Sequence, residues 1–185
     1  VKNSLRYVPE YAARGIIYDR NDIELAWNDG GRRYTKTDGF GHLLGYVGYP
    51  RAGATTTPYE PKELLGIEGI EYAHNSLLGG IKGKKLIEID AHGTVQSEAI
   101  HVPSTSGTDL RLAIDSRLQG ALHESIKALA VERGFTGGAG VVMDVRTGEV
   151  IALTNYPEYD SNELAPRDTP REKLGGYFTD TRQPF

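Results

Sequence analysis

The sequence predicts an α+β fold rich in short strands, and three observations point to it. Hydrophobic residues make up only 38% of the 185-residue chain, and 23 glycines and 9 prolines cut it into short runs, so brief apolar segments alternate with turn signals. A sustained helical period is carried mainly by the stretch from Ser116 to Gly134. Recurrent apolar runs and 11 tyrosines in need of packing partners argue against a disordered chain.

The elements follow in order. Pro9 keeps Val8 extended, because the residue before proline avoids the helical region. Gly15–Tyr18 is apolar and β-branched, which favours a strand, and Ile23–Trp27 returns as a second. Asp19-Arg20-Asn21-Asp22 between them reads as a turn, since Asn and Asp bond to their own backbone and tolerate the left-handed region. Phe40–Gly48 is read as a short apolar strand between glycines, and Arg51–Pro61 as a loop. Ile70–Leu78 places Ile70, Ala73, Leu77 and Leu78 on one helical face, stopped by Gly79-Gly80. Leu86–Ile89 and Thr94–Val102 form a strand pair turned at Ala91-His92-Gly93. Pro103–Thr108 is the best candidate for a linker.

After it, Leu110–Ile114 alternates as a half-buried strand. Ser116 with Gln119 three residues on is a capping-box signal, with Asp115 as the competing cap. Leu118, Leu122, Ile126 and Leu129 form an apolar stripe that ends at Gly134. Val141–Val145 and Val150–Leu153 are strands turned by Arg146-Thr147-Gly148. Residues 157–185 read as loop, with a weak helix near Glu172.

Net charge is −4, with acids and bases interspersed. The densest basic run, Lys82-Gly83-Lys84-Lys85, is a solvated turn before a strand rather than a nucleic-acid patch. Cysteine is absent, which removes disulfides and thiolate metal sites. No run of 18 apolar residues is present to span a bilayer. A start at Val1 and an end at Pro184-Phe185 give the expectation of a piece of a longer protein.

A serine acyl-transferase activated by lysine places the lysine one helical turn after the serine. Ser4, Ser76, Ser97, Ser104, Ser106, Ser116, Ser125 and Ser161 all lack it, and Ser125 has Lys127 only two positions on. His42, His74, His92, His101 and His123 show no metal-ligand spacing; His92 is expected in a turn and His123 on the polar side of its helix. Gly137-Gly138-Ala139-Gly140 follows a helix and precedes a strand, the reverse of a phosphate cradle. Arg14, Asp19, Arg20 and Glu24 are expected to form a surface ion-pair network. Tyr156–Asn162 could bind sugar or peptide, but is better read as a loop covering the neighbouring sheet. Catalytic, cofactor-binding and metal residues are therefore all expected to be none.

Four segments carry a family resemblance, in one order: Arg14–Asn21 with Leu25-Ala26; His42–Gly48; Gly66–Leu78 leading into Gly83-Lys84-Lys85 and Asp90–Gly93; and Asp109–Asn162. Together they resemble the class B penicillin-binding proteins, the peptidoglycan D,D-transpeptidases. The resemblance implies an elongated β-rich pedestal, or dimerisation domain, over residues 1–107. Residues 108–185 would then be the first strands and helix of a transpeptidase domain, truncated before its catalytic serine. Arg146-Thr147-Gly148 imitates the Lys-Thr-Gly strand motif of that superfamily, yet it sits where a hairpin turn is required. The segment between Asn28 and Phe40 is short, where relatives often insert a head subdomain.

By this resemblance the parent would cross-link stem peptides by serine acyl transfer, bind penicillin and be anchored in the cytoplasmic membrane by an N-terminal helix. It would work in the periplasm or at the cell surface. Its partners would be a polytopic glycan polymerase and other cell-wall synthesis proteins, with no nucleic acid and no cofactors. The present chain would be inactive, positioning the transpeptidase and contacting those partners. An unpaired sheet edge after residue 109 suggests self-association, or disorder after Pro157. The alternative reading is a free-standing peptidoglycan-binding or scaffold module, weakly supported by Tyr46, Tyr49, Tyr59 and Tyr72.

Overall fold

The computed structural model describes residues 4–49, 63–90, 92, 94–165, 175–177 and 179–181. The chain begins with β1 (Ser4–Glu10) and then forms the expected hairpin from β2 (Ile17–Tyr18) and β3 (Glu24–Asn28). Asp22 takes a positive φ of 65° in the turn, while the Asp19 carboxylate accepts from the N–H of Asn21 and of Ile23. β4 (Arg32–Tyr34) follows. The apolar run expected as one strand over Phe40–Gly48 is instead a helical turn, α1 (Gly41–Leu44), and then β5 (Val47–Gly48). A short apolar run fits either period, and Gly45 at φ 69° ends the turn.

β6 (Leu65–Gly66) pairs with β5. The single helix expected over Ile70–Leu78 is divided into α2 (Gly69–Ala73) and α3 (Asn75–Leu78). His74 leaves helical geometry at φ −111°, ψ 23°. The Asn75 side chain accepts from Gly66 N and Arg14 Nη1, so the break aims its carbonyl at two donors. β7 (Gly83–Ile89) and β8 (Val95–Val102) form the expected strand pair. The expected strand Leu110–Ile114 is shorter, β9 (Leu110–Arg111).

The long helix α4 (Ser116–Arg133) is capped by Asp115, whose side chain accepts from Arg117 N and Leu118 N, and it closes on left-handed Gly134 as expected. The capping box does not form, because the Ser116 hydroxyl is bonded to Asp19 instead. β10 (Gly138–Met143) and β11 (Val150–Tyr156) pair antiparallel around the Arg146-Thr147-Gly148 turn. The glycines at 138 and 140 are strand residues, against which a Cβ would touch Ile126 and Leu122 of α4. α5 (Ser161–Leu164) interrupts the stretch expected to be loop. The expected loop over 51–61, Gly93 in the β7–β8 turn and the weak helix near Glu172 lie outside the described residues.

Two larger sheets organise these pieces. One runs β1-β7-β8, all antiparallel; the other runs β4-β3-β2-β9, with β9 parallel to β2. The main core joins Ile17, Leu25, Tyr34, Phe40, Leu44, Val47 and Leu78 to Ile114 and Ala165, so residues on both sides of Pro103–Thr108 share one apolar interior. Each buried Val, Leu, Ile or Phe among them is worth about 1.5–3 kcal/mol of transfer free energy. The Pro103–Thr108 segment is pinned rather than free. Thr105 bridges Ile81, Gly107 N donates to Ala13 O, and Thr108 N donates to Leu77 O. Glycine is required there: a Cβ on Gly107 would lie 1.8 Å from Leu78 O, and one on Gly15 would lie 2.1 Å from Thr108 O.

Candidate functional site

The polar residues expected on the surface of the first hairpin are in part the interior of the molecule. Arg14 and Asp19 are buried, a correction to the expected surface ion-pair network. Arg14 Nε and Arg32 Nε each donate to Glu71, at 2.6 Å to Oε2 and 2.6 Å to Oε1. Arg14 also reaches Glu71 O and Asn75 Oδ1, and Arg32 reaches Gly15 O. Three elements distant in sequence thereby close on one carboxylate, where low dielectric strengthens the attraction and the remaining hydrogen bonds offset desolvation. Arg20 and Glu24 are the exposed members of the predicted set; Arg20 faces Glu149 at 3.5 Å.

Asp19 does the same at the other end of the hairpin. Its Oδ2 accepts from both the N–H and the hydroxyl of Ser116, the first residue of α4. Burial pushes its carboxyl pKa up, but bonds from Ile23, Ser116 and Asn21 outweigh that and hold it below the ordinary value. A third clasp joins the chain after β11 to α1. Glu158 accepts from Gly39 N and, at 2.8 Å, from Gly41 N. Tyr159 packs its ring against His42 and Tyr46 and donates its hydroxyl to Glu68. The Gln119 amide donates to Gly39 O and Leu153 O and accepts from Leu153 N.

The face of α4 that is most deeply buried is therefore polar. Gln119 and His123 are buried, whereas Leu118 and Leu129 of the expected apolar stripe are 38% and 50% exposed. His123 is not on the polar surface as expected: its Nδ1 lies 3.4 Å from Thr154 Oγ1 and 3.9 Å from Glu158 Oε1. These sites escaped sequence reasoning because their side-chain partners come from distant parts of the chain, from 31 positions away for His123 and Thr154 to 119 for Glu158 and Gly39; the usable signal was a Gln and a His interrupting an apolar stripe.

Beside the clasps opens a cleft of about 790 Å³, lined by Trp27, Arg33, Lys127, Tyr156 and Tyr177 among others. Among the described residues Asp38, His123 and Glu124 bring ligand atoms within 4.8 Å of one another. Lys127 Nζ stands 3.6 Å from Asp38 and 3.2 Å from Glu124, so the cation these carboxylates face in this structure is an ammonium. Nor does Lys127 serve a serine, since the Ser125 hydroxyl donates to Ala121 O of its own helix. His92 stands in the β7–β8 turn as expected. Among the described residues no helix is long and apolar enough to cross a membrane.

A scaffold of interlocking carboxylate clasps is the class of structure that fold and site define. Comparison with known proteins says which. The family model described as Penicillin-binding Protein dimerisation domain matches residues 28–112. Peptidoglycan D,D-transpeptidase FtsI of Escherichia coli K12 is 33% identical over 109 residues, 59% of this chain and 18% of the relative. Peptidoglycan D,D-transpeptidase MrdA of Acinetobacter baumannii is 33% identical over 135 residues, 71% of this chain and 19% of the relative. The probable peptidoglycan D,D-transpeptidase PenA of Neisseria meningitidis is 27% identical over 146 residues, 77% of this chain and 23% of the relative. The chain belongs to the class B penicillin-binding proteins and contains their dimerisation domain. It spans about a fifth of the length of these relatives.

Proposed function

We propose that this chain is the pedestal of a class B penicillin-binding protein together with the first strands and helix of its transpeptidase domain, meeting near residues 107–108. The parent cross-links peptidoglycan stem peptides outside the cytoplasm by serine acyl transfer and binds penicillin through the same serine. The pedestal positions that active site and engages other cell-wall synthesis proteins, a polytopic glycan polymerase among them.

The observation that carries this reading is the bond pair from Ser116 to the buried Asp19. It ties the start of α4 to the first hairpin, as a support for α4 and the β10–β11 ribbon requires. Gly39 and Gly41 clasped by Glu158 support it from the other end of the ribbon. A fluorescent penicillin tests the reading. It is expected to leave this chain unlabelled and to acylate a polypeptide of the same gene extended through a Ser-X-X-Lys sequence. Covalent labelling of the 185-residue chain, or no labelling of the extended one, refutes the assignment.

A further inference from the structure

The cleft beside the Glu158 clasp holds cations that the protein itself leaves partly unused. Its volume of about 790 Å³ falls within the range of small-ligand clefts, roughly 300–1,000 Å³. Three stretches build it: β3 with β4 and the chain leading to α1, one side of α4, and the chain after β11. Trp27 and Arg33 are direct partners across β3 and β4, so their side chains share one face of that sheet, and both are half-buried. Tyr156 supplies a second ring, set edge-on to His123 at 6.0 Å. Lys127 stands one turn after His123 on the same side of α4, and Lys36 lies on the exposed stretch after β4.

Most carboxylates of the cleft are already engaged. Glu158 accepts from Gly39 N and Gly41 N, Asp160 accepts from Asn162 N in capping α5, and Asp38 faces Lys127. Among the described residues Lys36 makes no hydrogen bond or ion pair. Arg33 donates through Nε to Asp29 O, which leaves its terminal N–H groups to a ligand, and the Asp29 carboxylate is the acid left to answer these two cations. A guanidinium fork beside an ammonium suits a carboxylate, which arginine takes in bidentate geometry. Tryptophan and tyrosine rings beside them suit a ligand with an apolar body rather than a bare ion. We propose that this cleft binds a cell-wall stem peptide, with a free carboxylate of the peptide on Arg33 and Lys36 and its methyl groups against Trp27 and Tyr156. The identity of the peptide rests on the reading of the parent as a peptidoglycan cross-linker; the requirement for a carboxylate rests on the cleft alone. Glu158 lines the same cleft, so occupancy bears on the clasp that joins the chain after β11 to α1.

Trp27 is the chain's single tryptophan, so its emission reports on the cleft. The test titrates a synthetic stem pentapeptide ending in D-Ala-D-Ala into the 185-residue chain while that emission is followed. A saturable change is expected. Arg33→Gln and Lys36→Gln are each expected to weaken binding about tenfold, the loss of one charge-assisted bond, and amidation of the peptide's carboxylates is expected to weaken it at least as much. Both side chains reach solvent, so the variants are expected to melt like the unsubstituted chain. No saturable change at millimolar peptide overturns the proposal. So does equal binding of the amidated peptide, or equal binding by both variants. An acidic peptide of L-residues bound as tightly also overturns it, by giving the cleft to a protein tail. Penicillin labelling of the extended polypeptide is read separately, so failure of one assignment is not failure of the other.

Discussion

Asp19 and Ser116 meet across 97 positions of sequence, and one carboxylate oxygen of Asp19 takes both the N–H and the hydroxyl of Ser116. The turn residue of the first hairpin thus serves as a second cap on α4, beside the local cap Asp115. An orphan donor at a helix N-terminus is satisfied from another part of the fold.

Replacing Asp19 by Ala leaves the N–H groups of Asn21, Ile23 and Ser116 without this acceptor. The expected loss is about 1.5–3 kcal/mol, in the range of a hydrogen bond to a charged group. Ser116→Ala, which keeps the N–H bond, is expected to lose less. Urea denaturation checks the order; equal stability of Asp19→Ala and the unsubstituted chain refutes the cap.

Acid is expected to weaken the fold partly through the same carboxyl. The folded pKa of Asp19 lies below its unfolded value, as does that of Asp115, chiefly through a bond from Asn21. Their contribution is present in full above the unfolded value and is lost as pH falls through the folded one, that is below about pH 4. The drop in urea midpoint between neutral and acid pH is expected to be smaller in Asp19→Asn. An unchanged drop assigns the acid sensitivity elsewhere.

Glu71→Gln leaves two buried guanidinium groups sharing no countercharge. Breaking one partner of a buried ion pair costs about 3–5 kcal/mol. Simultaneous replacement of Arg14, Arg32 and Glu71 by apolar residues of similar volume is expected to cost far less, since no charge is then stranded. Thermal melts of the single and triple variants decide; a single variant as stable as the parent sequence contradicts the brace.

Glu158→Ala is expected to free the amides of Gly39 and Gly41, its two backbone donors, while Val47 N, bonded to the Tyr34 hydroxyl, is untouched. Amide hydrogen exchange reads this directly: faster exchange confined to Gly39, Gly41 and their neighbours. Faster exchange spread over the whole β4-β3-β2-β9 sheet would mean that Glu158 supports the fold at large.

Gly107→Ala tests the pinned crossing, where the added methyl would enter the Leu78 carbonyl. An expected loss of about 1–3 kcal/mol follows from overpacking, and Ala is expected to be harmless at Gly134 only to the extent that a left-handed cap tolerates it. A Gly107→Ala chain with the original melting temperature removes the argument that Ala13, Leu78 and Gly107 are locked.

Local chemistry was legible without coordinates. The Asp19–Asp22 turn, the β7–β8 pair, the end of α4 at Gly134 and the Arg146-Thr147-Gly148 turn all rest on residues within a few positions of one another, where backbone preference and side-chain bonding act directly. The runs Arg14–Asn21 and Asp109–Asn162 also carried the family resemblance. Only the folded chain decided which polar groups are interior. Arg14, Asp19, Glu71, Gln119 and His123 are built from residue types that favour water, and their burial is settled by partners supplied from elsewhere in the fold. The same holds for α1 and the break at His74: an apolar run admits either period, and Glu158 with Gly41, or Arg14 with Asn75, tips the balance through bonds that no local pattern contains.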